Sequence, residues 1–267
     1  MTTMTLFPRP FLSPSPGRDP QTRVGRVDVH SHLLPGIDDG CARLDESLAC
    51  ARVLVGHGYT HSFCTPHIWP SLPNNTAANV RAKVADLQAA LDGAEIPLRL
   101  LPGGEINLRE DTLGTAPEDL VTYDMAGRFV LIDLWADRVP PFFAPNVRWL
   151  QSRGATVVLA HPERMRAVQA DPGLADYFAE LGMLLQGNLQ CFADPPHMDT
   201  RRVAERYLAE GRYFMLGSDL HNLKSLPIRM AGLTRATDLV GEEAVWKLTS
   251  TNPSRLLPAG DVDDPRP

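Results

Sequence analysis

Histidines and carboxylates recur along this chain at spacings that bring ligand atoms together. His30 and His32 are one residue apart in Asp28-Val29-His30-Ser31-His32, and Asp39 follows in Gly36-Ile37-Asp38-Asp39-Gly40. His67 closes Thr65-Pro66-His67, Glu105 follows Gly103-Gly104, and Asp133 ends the apolar run Phe129 to Ile132. His161 opens His161-Pro162-Glu163-Arg164, and Asp219 and His221 lie in Gly217-Ser218-Asp219-Leu220-His221. Side chains of an extended segment repeat every second residue, so His30 and His32 project to one side, as do Asp219 and His221. Imidazole and carboxylate together suit Zn²⁺, Mn²⁺ or Fe²⁺. Nine such groups are too many for one ion; two or three ions sharing bridging carboxylates would use them all.

Singly, each is weak evidence. Asp38-Asp39-Gly40 is a common turn, Asp219 has the type of a helix cap, and Glu105 or Asp133 alone says little. Their weight comes from position. Strand-like runs cover Val24–Val29, Tyr59–Cys64, Ile96–Leu101, Arg128–Leu134, Ala155–Ala160, Met183–Gln186 and Tyr213–Leu216. Helical patterns fall between them: residues 44–55, a stripe of Val80, Val84, Leu87 and Leu91, then 143–153, 173–181, 199–210 and 228–249. Strands alternating with helices predict an α/β fold with a parallel sheet, and seven units predict a distorted (β/α)7 barrel of TIM type. Candidate ligands then sit at the C-terminal ends of six of the seven strands, the face on which such barrels build active sites. His57, His61 and His197 fall outside this pattern and read as surface or structural; Asp28 reads as structural or as an orienter of a ligand.

The 267 residues, 43% hydrophobic and 22% charged, suit one soluble catalytic domain over 24–257. A net charge of −6 argues against a nucleic-acid surface. Residues 1–23 lack the apolar core of a signal peptide and hold five prolines in the first twenty positions, so a disordered tail is expected there, and a loose one over 258–267. No apolar run approaches the ~20 residues needed to cross a bilayer, so no membrane insertion is expected and a cytoplasmic protein is. Cys41, Cys50, Cys64 and Cys191 show no paired spacing that would suggest a disulfide framework.

VDVHSHLLPGIDDG, TPH at 65–67, GGEI at 103–106, AHPER at 160–164 and GSDLHN at 217–222 together resemble the PHP (polymerase and histidinol phosphatase) superfamily. The first motif and the closing Thr251-Asn252-Pro253-Ser254-Arg255 are most similar to the bacterial tyrosine phosphatases of the CpsB type, which act in capsule and exopolysaccharide biosynthesis. The resemblance implies a three-metal centre, Mn²⁺ before Fe²⁺ or Zn²⁺, held by His30, His32, Asp39, His67, Glu105, Asp133, His161, Asp219 and His221. It implies a phosphate contact by Arg164, with Asp219 or His221 assisting the leaving group, and a phosphotyrosine protein as partner, namely a bacterial tyrosine autokinase. Two positions depart from the family pattern: Asp133 stands for a usual Glu, and Leu226 for a second phosphate-binding Arg, with Arg229 nearby.

A cysteine-based phosphatase needs C-x5-R, but Ser47, Gly56, Pro70 and His197 stand six residues after the four cysteines. A barrel amidohydrolase commonly adds a metal-bridging lysine after a middle strand, and no lysine occurs between Lys83 and Lys224. The alternatives left are a small-molecule phosphatase of the histidinol phosphate kind and a catalytically silent metal-binding regulatory domain.

Overall fold

The computed structural model describes residues 24–116, 119–259 and 261. The expected tail over 1–23, and all of 258–267 except Pro258, Ala259 and Asp261, lie outside the described residues.

Among the described residues nine short strands run parallel: β1 (Arg26–Ser31), β2 (Tyr59–Cys64), β3 (His67–Ile68), β4 (Arg99–Pro102), β5 (Glu105–Asn107), β6 (Phe129–Asp133), β7 (Thr156–Ala160), β8 (Leu184–Asn188) and β9 (Met215–Gly217). They pair in two sets, β1-β2-β4 and β3-β5-β6-β7-β8-β9. Two pairs are halves of one strand. Thr65-Pro66 separates β2 from β3, and Gly103-Gly104 separates β4 from β5. The ladder runs on through both breaks, with Gly103 N–H donating to Cys64 O at 2.9 Å and Glu105 N–H to Pro66 O at 3.0 Å. At the far edge β9 returns to β1: Ser31 and Leu220 form a parallel bridge, flanked by Asp219 N–H to His30 O and His32 N–H to Leu220 O, both 2.7 Å. The seven strands counted from the sequence thus close into a distorted parallel barrel, as expected.

Alternation along the strands divides the core. Val130, Ile132, Val157, Leu159, Leu185 and Leu216 pack in one large cluster with the helices. Val27, Val29, Phe63, Leu101, Leu131, Val158, Ala160 and Met215 form a second, inner cluster, completed by Leu256 and Leu257. Strands buried on both faces need such continuous apolar runs.

The helices that matter for the site are α1 (Leu44–Gly56), α2 (Ala77–Gly93), α3 (Phe143–Ser152), α4 (Arg166–Ala170), α5 (Leu174–Glu180), α6 (Leu189–Ala193), α7 (Asp199–Ala209), α8 (Leu226–Val240) and α9 (Glu242–Trp246). The helical pattern expected over 228–249 is divided at Gly241, which has φ +86, and it ends in a π-helical turn at Lys247–Thr251. Left-handed backbone of this kind favours glycine. Gly232 has a different role. A Cβ there would run into the Leu189 carbonyl oxygen, so its absence lets α8 lie directly on α6.

Candidate metal centre

Each candidate ligand is delivered by the barrel rim. His30 and His32 come from the end of β1, His67 from β3, Glu105 from β5, His161 from the turn after β7, and Asp219 and His221 from the turn after β9. Three groups of ligand atoms result, each with its atoms within 4.8 Å of one another: His32, Asp39, His67 and His221; His30, His32 and Asp219; and His30, Glu105 and His161. His30 and His32 each belong to two groups, which makes the three one continuous constellation. Their Nε2 atoms lie 3.3 Å apart. Around them converge Glu105 Oε2, at 3.4 and 3.6 Å, and Asp219 Oδ1, at 3.5 and 3.4 Å.

Eight of the nine sequence candidates are thereby brought together. Asp133 belongs to none of the three groups. Its carboxylate accepts from Asn107 Nδ2 at 3.1 Å and from the Trp135 indole Nε1. Burial, with the charge of Glu105 adding to it, pushes the Asp133 carboxyl up to about 8. The two carboxylates at the centre behave oppositely. Burial penalises their charge too, but His30, His161 and His67 hold Glu105 well below the usual carboxylate range, and His30 and His32 do the same for Asp219.

The donor set suits divalent cations. Imidazole nitrogens and carboxylate oxygens are ordinary ligands for Zn²⁺, Mn²⁺ and Fe²⁺. Glu105 Oε2 and His67 Nδ1 are buried and make no hydrogen bond, although they lie only 2.8 Å apart. An orphaned buried carboxylate oxygen is costly unless a cation takes it.

Several residues that orient the ligands were not singled out in the sequence. The side chain of Asp38 is buried, and its Oδ2 accepts from His32 Nδ1 at 2.7 Å and from the His67 N–H at 3.0 Å. Gln186 Oε1 accepts from His30 Nδ1 at 2.8 Å, and Asn188 Nδ2 donates to Asp219 Oδ2 at 2.6 Å. A proton held on Nδ1 leaves Nε2 free to bind a metal. Gln186 and Asn188 both belong to β8, the strand for which the sequence offered no ligand. Their spacing of two along a strand was the available signal. Glu163, fully buried, accepts from the Asn188 N–H and the Tyr213 hydroxyl, and burial pushes its carboxyl up to about 7. Asp28, an open question in the sequence, accepts from both the N–H and the hydroxyl of Ser218, at 2.9 and 2.5 Å. It ties the end of β9 to β1.

Two ligands sit in left-handed backbone, His161 at φ 33 and Asp219 at φ 51. Non-glycine residues held so cost roughly 1–3 kcal/mol each and cluster at functional sites. Arg229 steadies the second of these, its Nε donating to the Asp219 carbonyl at 2.8 Å and its Nη1 to the Ser225 carbonyl at 3.0 Å. Beside the constellation lies an open cavity of about 340 Å³ lined by Asp39, Arg164, Asp219, His221, Ser225 and Arg229. Arg164 Nη1 donates to Asp219 Oδ2 at 2.8 Å, and Leu226 is fully buried. Two guanidiniums facing a carboxylate and imidazole cluster suit a phosphate group.

A sequence profile of the family described as "Capsular polysaccharide synthesis, CpsB/CapC" matches residues 26–258. The tyrosine-protein phosphatase YwqE of Bacillus subtilis is 30% identical over 203 residues, covering 74% of this chain and 78% of YwqE. The tyrosine-protein phosphatase CpsB of Streptococcus pneumoniae is 21% identical over 240 residues, 86% of this chain and 98% of CpsB. A crystal structure from a study of YwqE from Bacillus subtilis and CpsB from Streptococcus pneumoniae, described as metal-dependent tyrosine phosphatases, superposes with a TM-score of 0.77 at 28% identity. It covers 86% of this chain and 93% of its own. A dihydroorotase superposes with a TM-score of 0.54 at 14% identity, a likeness of fold alone. Among the described residues no helix is long and apolar enough to cross a membrane.

Proposed function

Because the chain belongs to the CpsB/CapC family of capsular polysaccharide synthesis, we propose that it is a metal-dependent phosphomonoester hydrolase acting on phosphotyrosine in protein. One observation carries the reading: three ligand groups joined through His30 and His32 open onto a cavity lined by Arg164 and Arg229.

His30, His32, Asp39, His67, Glu105, His161, Asp219 and His221 would hold two or three divalent ions, Mn²⁺ foremost, with Fe²⁺ or Zn²⁺ as the other candidates. Bound there, such ions supply Lewis acidity to the phosphoryl group and acidify water at neutral pH. Asp133, hydrogen-bonded to Asn107 and Trp135, would join the set only by turning its carboxylate.

The chain's own groups do the rest. Arg164 offers a planar fork of donors to the phosphoryl oxygens as charge develops on them. Asp219 holds that fork from behind through Oδ2, so the guanidinium is aimed before substrate arrives. Arg229 spends its Nε and Nη1 on backbone carbonyls, which leaves Nη2 as its contribution to the cavity in place of the arginine that Leu226 replaces. The departing phenolate has an intrinsic pKa of about 10 and needs little protonation. Of the two groups expected to assist it, Asp219 already accepts from Arg164 and Asn188, whereas His221 lines the cavity with its Nδ1 2.9 Å from the Asp219 carbonyl. His221 would assist where its Nε2 is not engaged by an ion.

We assign the catalytic unit to residues 24–257, a cytoplasmic location, and a bacterial tyrosine autokinase as the phosphorylated partner. The deciding experiment is hydrolysis of a phosphotyrosine peptide with and without chelator, with Mn²⁺ added back and His161→Ala as control. Activity should vanish with chelator, return with Mn²⁺ and be absent in the variant. Metal-dependent turnover of small phosphate esters but not of the peptide would discard the protein substrate. No turnover of either by metal-loaded protein would sink the phosphatase reading.

A further inference from the structure

We propose that Trp135 is the wall against which the phenyl ring of a phosphotyrosine lies, so that this residue selects aryl over alkyl phosphate esters. The inference rests on the phosphotyrosine reading above and names a side chain that supplies its specificity.

Single exposed apolar residues are ordinary on protein surfaces. Trp135 is not placed as an ordinary one. It is 63% exposed, the highest value among the large apolar side chains described, yet it stands two residues after Asp133 on the catalytic rim of the barrel. Its ring is also held. The indole Nε1 donates to Asp133 Oδ2, fixing the plane at an exposed position where rotamer freedom would otherwise be large. The guanidinium carbon of Arg164 lies 5.5 Å from the ring centroid. Trp135, Arg164 and Asp219 thus form a row leading from solvent to the metal ligands.

This row dictates which way an ester must lie. A phosphoryl group on Arg164 faces Asp219, His30 and His32 on its inner side, where ligand atoms fill the space. The alcohol portion would then leave outward, and a path past the Arg164 guanidinium runs beside the exposed indole that lies 5.5 Å from it. Aromatic rings prefer offset or edge contacts with centroids 4.5–7 Å apart, which gives an aryl ester a gain that an alkyl chain lacks. The second tryptophan of the rim, Trp69, is not free for this. Its ring is already stacked on His67, at 4.0 Å between centroids and 28° between planes.

The test is calorimetric binding of two probes to metal-loaded protein: inorganic phosphate, and a peptide carrying the non-hydrolysable phosphonomethyl-phenylalanine. Trp135→Ala should weaken the peptide about three- to tenfold and leave phosphate unchanged, whereas Trp135→Phe should keep most of the peptide affinity. Peptide affinity unaltered in Trp135→Ala overturns the proposal. So does an equal loss for both probes that Trp135→Phe fails to rescue, because the residue would then act only through its bond to Asp133. The two readings fail separately. Tighter peptide binding that depends on Trp135, without hydrolysis of any ester, would sink the phosphatase and keep the wall. Hydrolysis without aryl preference would do the reverse.

Discussion

At the scale of single residues, the candidate ligands were legible and the groups that hold them were not. His30, His32, His67, His161 and His221 announce themselves because imidazole beside carboxylate at strand ends is uncommon for any other purpose. Asp38 was hidden by its neighbour: in Asp38-Asp39-Gly40 either carboxylate could have been the ligand, and the structure gives them different tasks. Asp39 is exposed and faces His67 and His221, while Asp38 is turned inward against His32 Nδ1. Asp38→Asn places an amide where an acceptor serves His32 and His67, and it should weaken metal affinity roughly 10–100-fold. Competition against a chromophoric chelator measures this; affinity equal to wild type would mean that Asp38 only shapes the turn. Gln186 and Asn188 were missed for a related reason. An amide side chain carries no signal of its role until the strand that bears it is known to face His30 and Asp219.

At the scale of elements, alternation and turn chemistry placed most strands and helices within a few residues, because buried parallel strands read as short apolar runs. The breaks at Thr65-Pro66 and Gly103-Gly104 were read as strand ends. They are interruptions, after which β3 and β5 carry His67 and Glu105 onward to the rim. Periodicity cannot see this, since a two- or three-residue strand has no period. The helix pair α6 and α8 illustrates how packing reaches the site. Asn188 caps α6 and holds Asp219 from one side, and Arg229 on α8 holds it from the other. Gly232 sets the distance between these helices. Gly232→Ala should destabilise the fold by ~1–3 kcal/mol, seen as a lower urea midpoint with unchanged slope. It should also reduce phosphate affinity by displacing Arg229; full stability in the variant would show that α8 can shift freely.

At the scale of the whole molecule, the constellation spans the barrel. The candidate ligands come from the rims of β1, β3, β5, β7 and β9, so ions there would add to the bonds between neighbouring strands a tie to β7, which pairs with neither β5 nor β9. Cations that bind only the folded chain stabilise it by mass action, about 2.7 kcal/mol at a hundred times Kd. Chelation should therefore lower the Tm by roughly 5–10 °C, and calorimetric scans with and without Mn²⁺ would measure it. An unchanged Tm would mean that the ligands hold no ion of useful affinity. The seam where β9 meets β1 has a further consequence, one that concerns time. Asp28 waits for Ser218, 190 residues further along the chain, and His30 waits equally long for Asp219. A ribosome adding about 5–20 residues each second exposes the first strand with one edge unpaired for many seconds. The nascent chain must carry that open edge until β9 emerges, so the risk of misassociation along β1 lasts until the 190-residue separation between Asp28 and Ser218 has been synthesised.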